Sequence, residues 1–395
     1  MFSLWSALTC NRLPDEKEQT TMKLDVVKLT RQLVSFPSES QTSNVEVTGC
    51  IADVLNQLNF EIERLPYVDK NGVDKISIVG RLGKGSGGLS LMSHDDVVPA
   101  LPEQYKPKLT GGKLYGRGSC DMKGPLAATL CAAARFKDAK LKKPLFIIVT
   151  ADEEVQAVGA RMVTKESKLF AQASSGYGII CEPTRLNVVY AHKGSMSLVI
   201  TSKGKAAHTS TLKGTNANIK MIPFLQEMRE IYELVLEDVA FRNDEFKPPH
   251  SEWSIGINDH NLATNISPIQ SVCTINYRPM PGVDVNSLIA RTRASARKHG
   301  VKCEIGHLGE PVYTDPQSPL VKTALKIAGK RRALTVPFGT DGMAYGKKMK
   351  QMVVLGPGDI AQAHTVDEWV EVEQLKKGVA LYERFIDHVC VQGKD

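Results

Sequence analysis

The sequence reads as α/β: one domain built on a mostly parallel, mixed sheet flanked by helices, and a ferredoxin-like α+β unit inserted into it. Three observations predict this. Short continuous apolar runs with polar ends, "PLFIIVTADEE" and "GYGIICEPT", alternate with helical patterns, as strands covered on both faces by helices do. Between about residues 194 and 307 the pattern changes to β-α-β-β-α-β. After that stretch the first pattern returns.

The elements follow in chain order. "KLDVVKLTRQLVSF" and "EVTGCIADVLNQLNF" carry apolar residues at helical spacing. "KISIVGRL" and "GLSLMSH" read as strands, and "GPLAATLCAAARF" as a helix opened by a turn. The two apolar runs come next. The alternating "GSMSLVITSKGKAAHT" opens the insert, followed by the long helix "NANIKMIPFLQEMREIYELVL". Strands "EWSIGIN" and "SVCTINYRPM", the helix "DVNSLIARTRASARKHG" and the strand "VKCEIGHLG" complete it. Helix "SPLVKTALKIAG", strand "QMVVLGPG" and a last helix from about Val372 to Cys390 return to the first domain. The organisation is therefore 22–193 with 308–395, interrupted by 194–307. Residues 1–21, apolar "MFSLWSALTC" and polar "NRLPDEKEQTT", are expected to be a disordered extension or a misassigned start before Met22.

Bulk properties exclude several classes. The chain has 395 residues, more than one ordinary core holds. It is 42% hydrophobic and 24% charged, an ordinary globular composition. Its net charge of +7 is spread along the chain without a basic block interleaved with aromatics, which argues against nucleic acid. No stretch approaches the ~18 apolar residues of a membrane span. The eight cysteines form no C-x-x-C pair and fit a reducing cytoplasm.

Chemistry concentrates at the strand ends. "LSLMSHDDVVP" ends on His94, Asp95 and Asp96; "LFIIVTADEE" on Asp152, Glu153 and Glu154; "YGIICEPT" on Glu182. The loop "YGRGSCDMKGP" offers Asp121, and "GPGDIAQAHTVDE" leads to His364. Open α/β sheets bind ligands outside the carboxyl ends of their strands. Singly, an Asp at a helix start is a cap and a loop His is a solvated group. Jointly, converging carboxylates need protons, bases or metal to neutralise them, and no matching Lys/Arg cluster sits there. Mixed nitrogen and oxygen donors favour zinc, cobalt or manganese over calcium or magnesium. The number of donors suggests two ions, which would acidify a water and polarise a carbonyl.

Division of labour follows from adjacency. Neighbouring side chains point in different directions, so one of Glu153 and Glu154 can bind metal while the other acts as general base. In an extended segment His94 and Asp96 share a face, and Asp96 can accept from the ring nitrogen of His94 that is not on the metal. Asp95 would face elsewhere, as a solvated or a supporting carboxylate.

In that order, "SHDDVVP", "YGRGSCDMKG", "TADEE", "CEPT", "GKAAHT" and "GPGDIAQAHTVDEW" resemble the dinuclear-zinc family of acetylornithine deacetylase, succinyl-diaminopimelate desuccinylase, aminoacylase and glutamate carboxypeptidase, over about Lys23 to Cys390. The resemblance implies a metal-dependent amidohydrolase acting on a small N-acyl amino acid. It implies two divalent metal ions, zinc foremost, with cobalt or manganese as alternatives. His94 and Glu182 would bind one ion, Glu154 and His364 the other, and Asp121 would bridge them. Glu153 would be the general acid/base and Asp96 the orienting aspartate. His208 resembles the histidine that reaches the tetrahedral intermediate; Arg278 and Asn265 resemble contacts to the substrate carboxylate and oxyanion. The insert would serve as a lid and as the surface of a homodimer.

"KLKKPLFIIVTADEE", "CEPT…AHKG" and "LGPGDIAQAHTVDEW" look closest to the acetylornithine deacetylase branch, which makes N-acetyl-L-ornithine the first expected substrate. "GINDHNLATNISP" and "GTDGMAY" depart from patterns common in the family and leave desuccinylase, aminoacylase and dipeptidase activities open. A catalytically inactive binding relative would lack ligands or the base, and here all six positions are filled.

Overall fold

The computed structural model describes residues 24–260, 263–349 and 351–395. The expected N-terminal extension, 1–21, lies outside them. The chain divides into two compact units, one of residues 24–186 with 355–395, the other Asn187–Val354.

The first unit opens with helices α1 (Val26–Val34) and α2 (Val45–Gln57). The Asp25 side chain caps α1 by accepting from the amides of Val27 and Lys28. The strands are β1 (Glu61–Val68), β2 (Asp74–Leu82), β3 (Leu89–His94), the short β4 (Lys108–Thr110) and β5 (Lys113–Tyr115), β6 (Leu145–Thr150) and β7 (Tyr177–Ile180). In the main sheet of this unit the order is β1-β2-β6-β3-β7. β1 and β2 form an antiparallel hairpin, β2 pairs antiparallel with β6, and the inner strand β3 pairs parallel with both β6 and β7.

β3, β6 and β7 are buried at every position. That is why they read as continuous apolar runs rather than as alternation. β1, "EIERLPYV", is mostly exposed and carries Pro66. An edge strand tolerates a proline and needs no apolar pattern, so the sequence reading passed over it. Helix α3 (Lys123–Ala134) is buried along its whole length, packed between β3, α1 and the C-terminal helix Val372–Ile386, and the short helices α4 (Val158–Glu166) and α5 (Lys168–Ala173) lie between β6 and β7 in the chain. Strand Trp369–Glu371 pairs with β5.

In the second unit β8 (Val189–His192) precedes the β-α-β-β-α-β run. Its members are β9 (Ser195–Lys203), α6 (Ala217–Glu237), β10 (Ser254–Asn258), β11 (Gln270–Tyr277), α7 (Val285–Lys298) and β12 (Lys302–Gly309). The four strands form an antiparallel sheet in the order β10-β11-β9-β12. One face of β9 is buried and the other half-buried, in strict alternation. Met196, Leu198 and Ile200 from that face pack with Phe224, Met228, Trp253, Ile275, Tyr277 and Leu288 in a core of their own. Among the described residues no helix is long and apolar enough to cross a membrane.

Candidate active site

Parallel pairing aims three strand ends at one edge. β3 finishes on His94. β6 finishes on Thr150, one turn before Glu153 and Glu154. β7 finishes two residues before Glu182. The two glutamates sit in a turn and not on the strand itself. That turn holds Asp152, Gln156 and Ala157 at φ 58, 82 and 55. Non-glycine residues in this region cost energy, and such strain gathers at functional sites. Asp121 arrives from the loop before α3, where Gly118 has φ +83 and a Cβ would stand 2.9 Å from Val97. His364 arrives from the loop before strand Trp369–Glu371, itself at φ 62.

The five residues meet around Asp121. Nε2 of His94 lies 3.3 Å from Asp121 Oδ1 and 3.6 Å from Glu182 Oε1. Nε2 of His364 lies 3.3 Å from Asp121 Oδ2 and 3.0 Å from Glu154 Oε1. The two oxygens of one carboxylate thus face two different histidines, each with a second carboxylate of its own. One ligand atom each from His94, Asp121 and Glu154 all fall within 4.8 Å of one another. Donors bound at ~2.1 Å in a tetrahedron stand ~3.4 Å apart, so the donor chemistry and spacing of this group fit a divalent cation.

Burial and neighbouring charges set the protonation of the cluster. Burial opposes the charged form of His94, but the carboxylates of Asp121 and Asp96 outweigh it and hold the ring well above its ordinary value. His364 is pushed up to about 10 by Asp121 and Glu154. Burial raises the carboxyl of Glu154, and the nearby Asp121 charge adds to the rise. Burial also works to raise Asp121, yet the two histidines draw it below the usual carboxylate range. The cluster demands positive charge, which protons on the histidines or metal cations can supply.

Buried partners fix the cluster. The Nδ1 of His94 is 2.9 Å from the backbone carbonyl of Asp96 and 3.5 Å from its carboxylate. The closer partner that orients the ring is therefore main chain. The Asp96 carboxylate instead spans to the glutamate turn: Oδ1 accepts from the amide of Glu153 at 3.0 Å, and Oδ2 from the amide of Glu154 at 3.3 Å and Ser40 Oγ at 2.7 Å. Asp95 is fully buried rather than solvated. It accepts from Asn44 Nδ2 at 2.9 Å and Thr48 Oγ1 at 2.6 Å, and burial pushes its carboxyl up to about 7.

The sequence did not show what two further carboxylates anchor. Asp152, beside the glutamates, is paired with Lys75 at 2.8 Å and accepts from the Tyr67 hydroxyl at 2.8 Å. Glu368, buried, accepts four hydrogen bonds from the loop that carries Asp121. Its position four residues after His364 was the available signal. The remaining candidates belong to the second unit. The backbone brings His208 and Asn265 side by side, with the Thr209 amide donating to the Asn265 carbonyl at 3.0 Å. Both side chains are exposed, as is that of Arg278 after β11.

A donor set of this kind at the carboxyl edge of an α/β sheet defines a metal-dependent hydrolase. Residues 90–388 match the sequence pattern of peptidase family M20/M25/M40, and the chain belongs to that family. It is 30% identical over 373 residues to an acetylornithine deacetylase of Myxococcus xanthus, covering 91% of this chain and 96% of that one. A metallo-carboxypeptidase of the same family from Sulfolobus solfataricus shares the fold with a TM-score of 0.74 at 17% identity, over 92% of this chain and 98% of that one. A dinuclear metal-binding peptidase from Bacillus subtilis aligns with a TM-score of 0.62 at 17% identity, over 91% and 96% of the two chains.

Proposed function

We propose that the enzyme hydrolyses the amide of an N-acyl amino acid, N-acetyl-L-ornithine foremost, to acetate and L-ornithine, a step of arginine biosynthesis. The observation that carries the reading is Asp121, one oxygen toward His94 and the other toward His364, each 3.3 Å away. His94 and Glu182 would hold one ion, Glu154 and His364 the other, with Asp121 between. Two divalent cations, zinc foremost, would supply Lewis acidity toward a carbonyl and lower the pKa of a water.

The chain's own groups do the proton work. Glu153, its amide fixed by Asp96, takes the proton from the attacking water and returns it to the leaving amine. Asp96 and Asp95 stay buried and hydrogen-bonded, and hold the turn and strand end in place. His208 is assigned to the developing oxyanion, and Arg278 and Asn265 to the substrate's carboxylate and oxyanion, on resemblance. The same resemblance makes residues 194–307 a lid and a homodimer surface. The exposed Ile219 and Ile222 of α6 and Ile257 of edge strand β10 suit that surface.

The test is hydrolysis of N-acetyl-L-ornithine, N-succinyl-diaminopimelate and N-acetyl-methionine by metal-free enzyme, and after zinc or cobalt is restored. Metal-dependent preference for acetylornithine is expected. Preference for another substrate keeps the chemistry and discards the substrate. Metal-independent turnover would overturn the mechanism.

A further inference from the structure

We infer that Glu368 is a positioning residue for the metal cradle: its single carboxylate ties the loop that carries Asp121 to the loop that carries His364. The inference rests on the reading of the cradle as a metal site. Oε1 accepts from the amides of Cys120 at 2.8 Å and Asp121 at 3.0 Å. Oε2 accepts from the amide of Gly118 at 3.0 Å and from Arg117 Nη1 at 2.7 Å. The Glu368 carbonyl accepts in turn from the Gly116 amide at 3.0 Å, and the next residue, Trp369, pairs with Tyr115.

The geometry explains why a carboxylate is needed. His94 ends a packed strand, Glu182 follows two residues after another, and Glu154 sits in a turn whose amides are held by Asp96. Asp121 and His364 sit on two loops far apart in sequence, and their side chains must meet at 3.3 Å. Four convergent donors are matched only by a group with acceptors alone. A glutamine would turn its amide nitrogen toward two of those N–H groups and leave them opposed. The negative charge is offset by Arg117, so the buried pair itself carries no net charge. Asp121 is thereby held through its backbone, and both of its carboxylate oxygens stay available to the two histidines.

The test is calorimetric titration of zinc into metal-free wild type, E368Q and E368D, on folded protein, with thermal unfolding of each metal-free form recorded beside it. Wild type takes up two equivalents. E368Q binds at least one of them about 10–100-fold more weakly, the usual cost of losing a group that orients a ligand. E368D, charged but one methylene shorter, lies between. A merely structural role would lower the metal-free unfolding temperature and leave the affinity of the folded protein unchanged. E368Q that is folded and binds zinc as wild type does overturns the inference. If E368Q does not fold, E368D decides by the same comparison; if neither folds without metal, the role is structural and the inference falls. Wild type that takes up no zinc sinks the metal reading itself, a different failure with a different signature.

Discussion

Lys75 Nζ stands 2.8 Å from Oδ1 of Asp152, and both side chains are buried. The same ammonium donates to the carbonyls of Ser40 at 2.8 Å and Thr42 at 2.7 Å. Three adjacent carboxylates at a strand end are therefore sorted by partner. Asp152 answers to a lysine, Glu154 faces His364, and Glu153 is fixed through its backbone by Asp96. Removing one member of a buried pair leaves the other uncompensated. Lys75→Met is expected to cost about 3 kcal/mol in denaturant unfolding at neutral pH, and the double variant Lys75→Met/Asp152→Asn distinctly less. Equal losses in the two would show that the ion pair is not what anchors the turn.

Glu153→Gln separates proton transfer from metal holding. The carboxylate lost is not one of the proposed metal ligands, so zinc content and unfolding temperature should stay near wild type. Turnover should fall by roughly 10²–10⁴-fold or more, the span attributed to a positioned general base. The measurement is kcat beside metal analysis on the same preparation. Near-normal turnover would remove Glu153 from the role.

His94 and His364 should differ in what else their loss does. His94 is buried against Asp121 and Glu182, whereas the His364 side chain is 53% exposed. His94→Ala leaves buried carboxylates without their partner and should lower metal-free stability as well as zinc uptake. His364→Ala should lower zinc uptake and spare most of the metal-free stability. Metal analysis and thermal unfolding of the two metal-free variants read both effects. Equal destabilisation by both would contradict the difference in burial.

Much of the site was legible because strand ends are. β3, β6 and β7 are buried on both faces and announce themselves as apolar runs, so the polar residues at their ends stand out. What the sequence hid were partners chosen by distance in space. Glu368 looks like one more surface glutamate until the fold brings it against the amides of Gly118, Cys120 and Asp121. Lys75 lies in a strand whose pattern gives no hint that its ammonium turns inward toward Asp152. Asp95 illustrates the limit of period-two reasoning. Alternation correctly turns it away from His94, but whether that other side is water or protein depends on α2, whose Thr48 covers it.

A pH prediction follows from His192, at the end of β8. Its Nδ1 donates to the Lys193 carbonyl at 2.8 Å, so Nε2 is left to accept from Thr340 Oγ1 at 2.9 Å. Both bonds suit the neutral ring. Burial holds it down to about 4; the carbonyl contact works the other way, and the positive charge of Arg278 adds to the depression. In the unfolded chain the ring titrates near 6.5. Between those values the unfolded state binds more protons than the native one, so stability rises with pH across the window and is lost as pH falls from about 6.5 to about 4. At about 1.4 kcal/mol per pKa unit, the full span is worth about 3 kcal/mol. His192→Gln, which keeps a donor and an acceptor but does not titrate, should flatten that part of the curve. Denaturant unfolding of metal-free wild type and variant from pH 7 to pH 4 gives the comparison, since contributions from other groups cancel in the difference. Parallel curves would mean that the native ring titrates as the unfolded one does, and that burial does not hold it neutral.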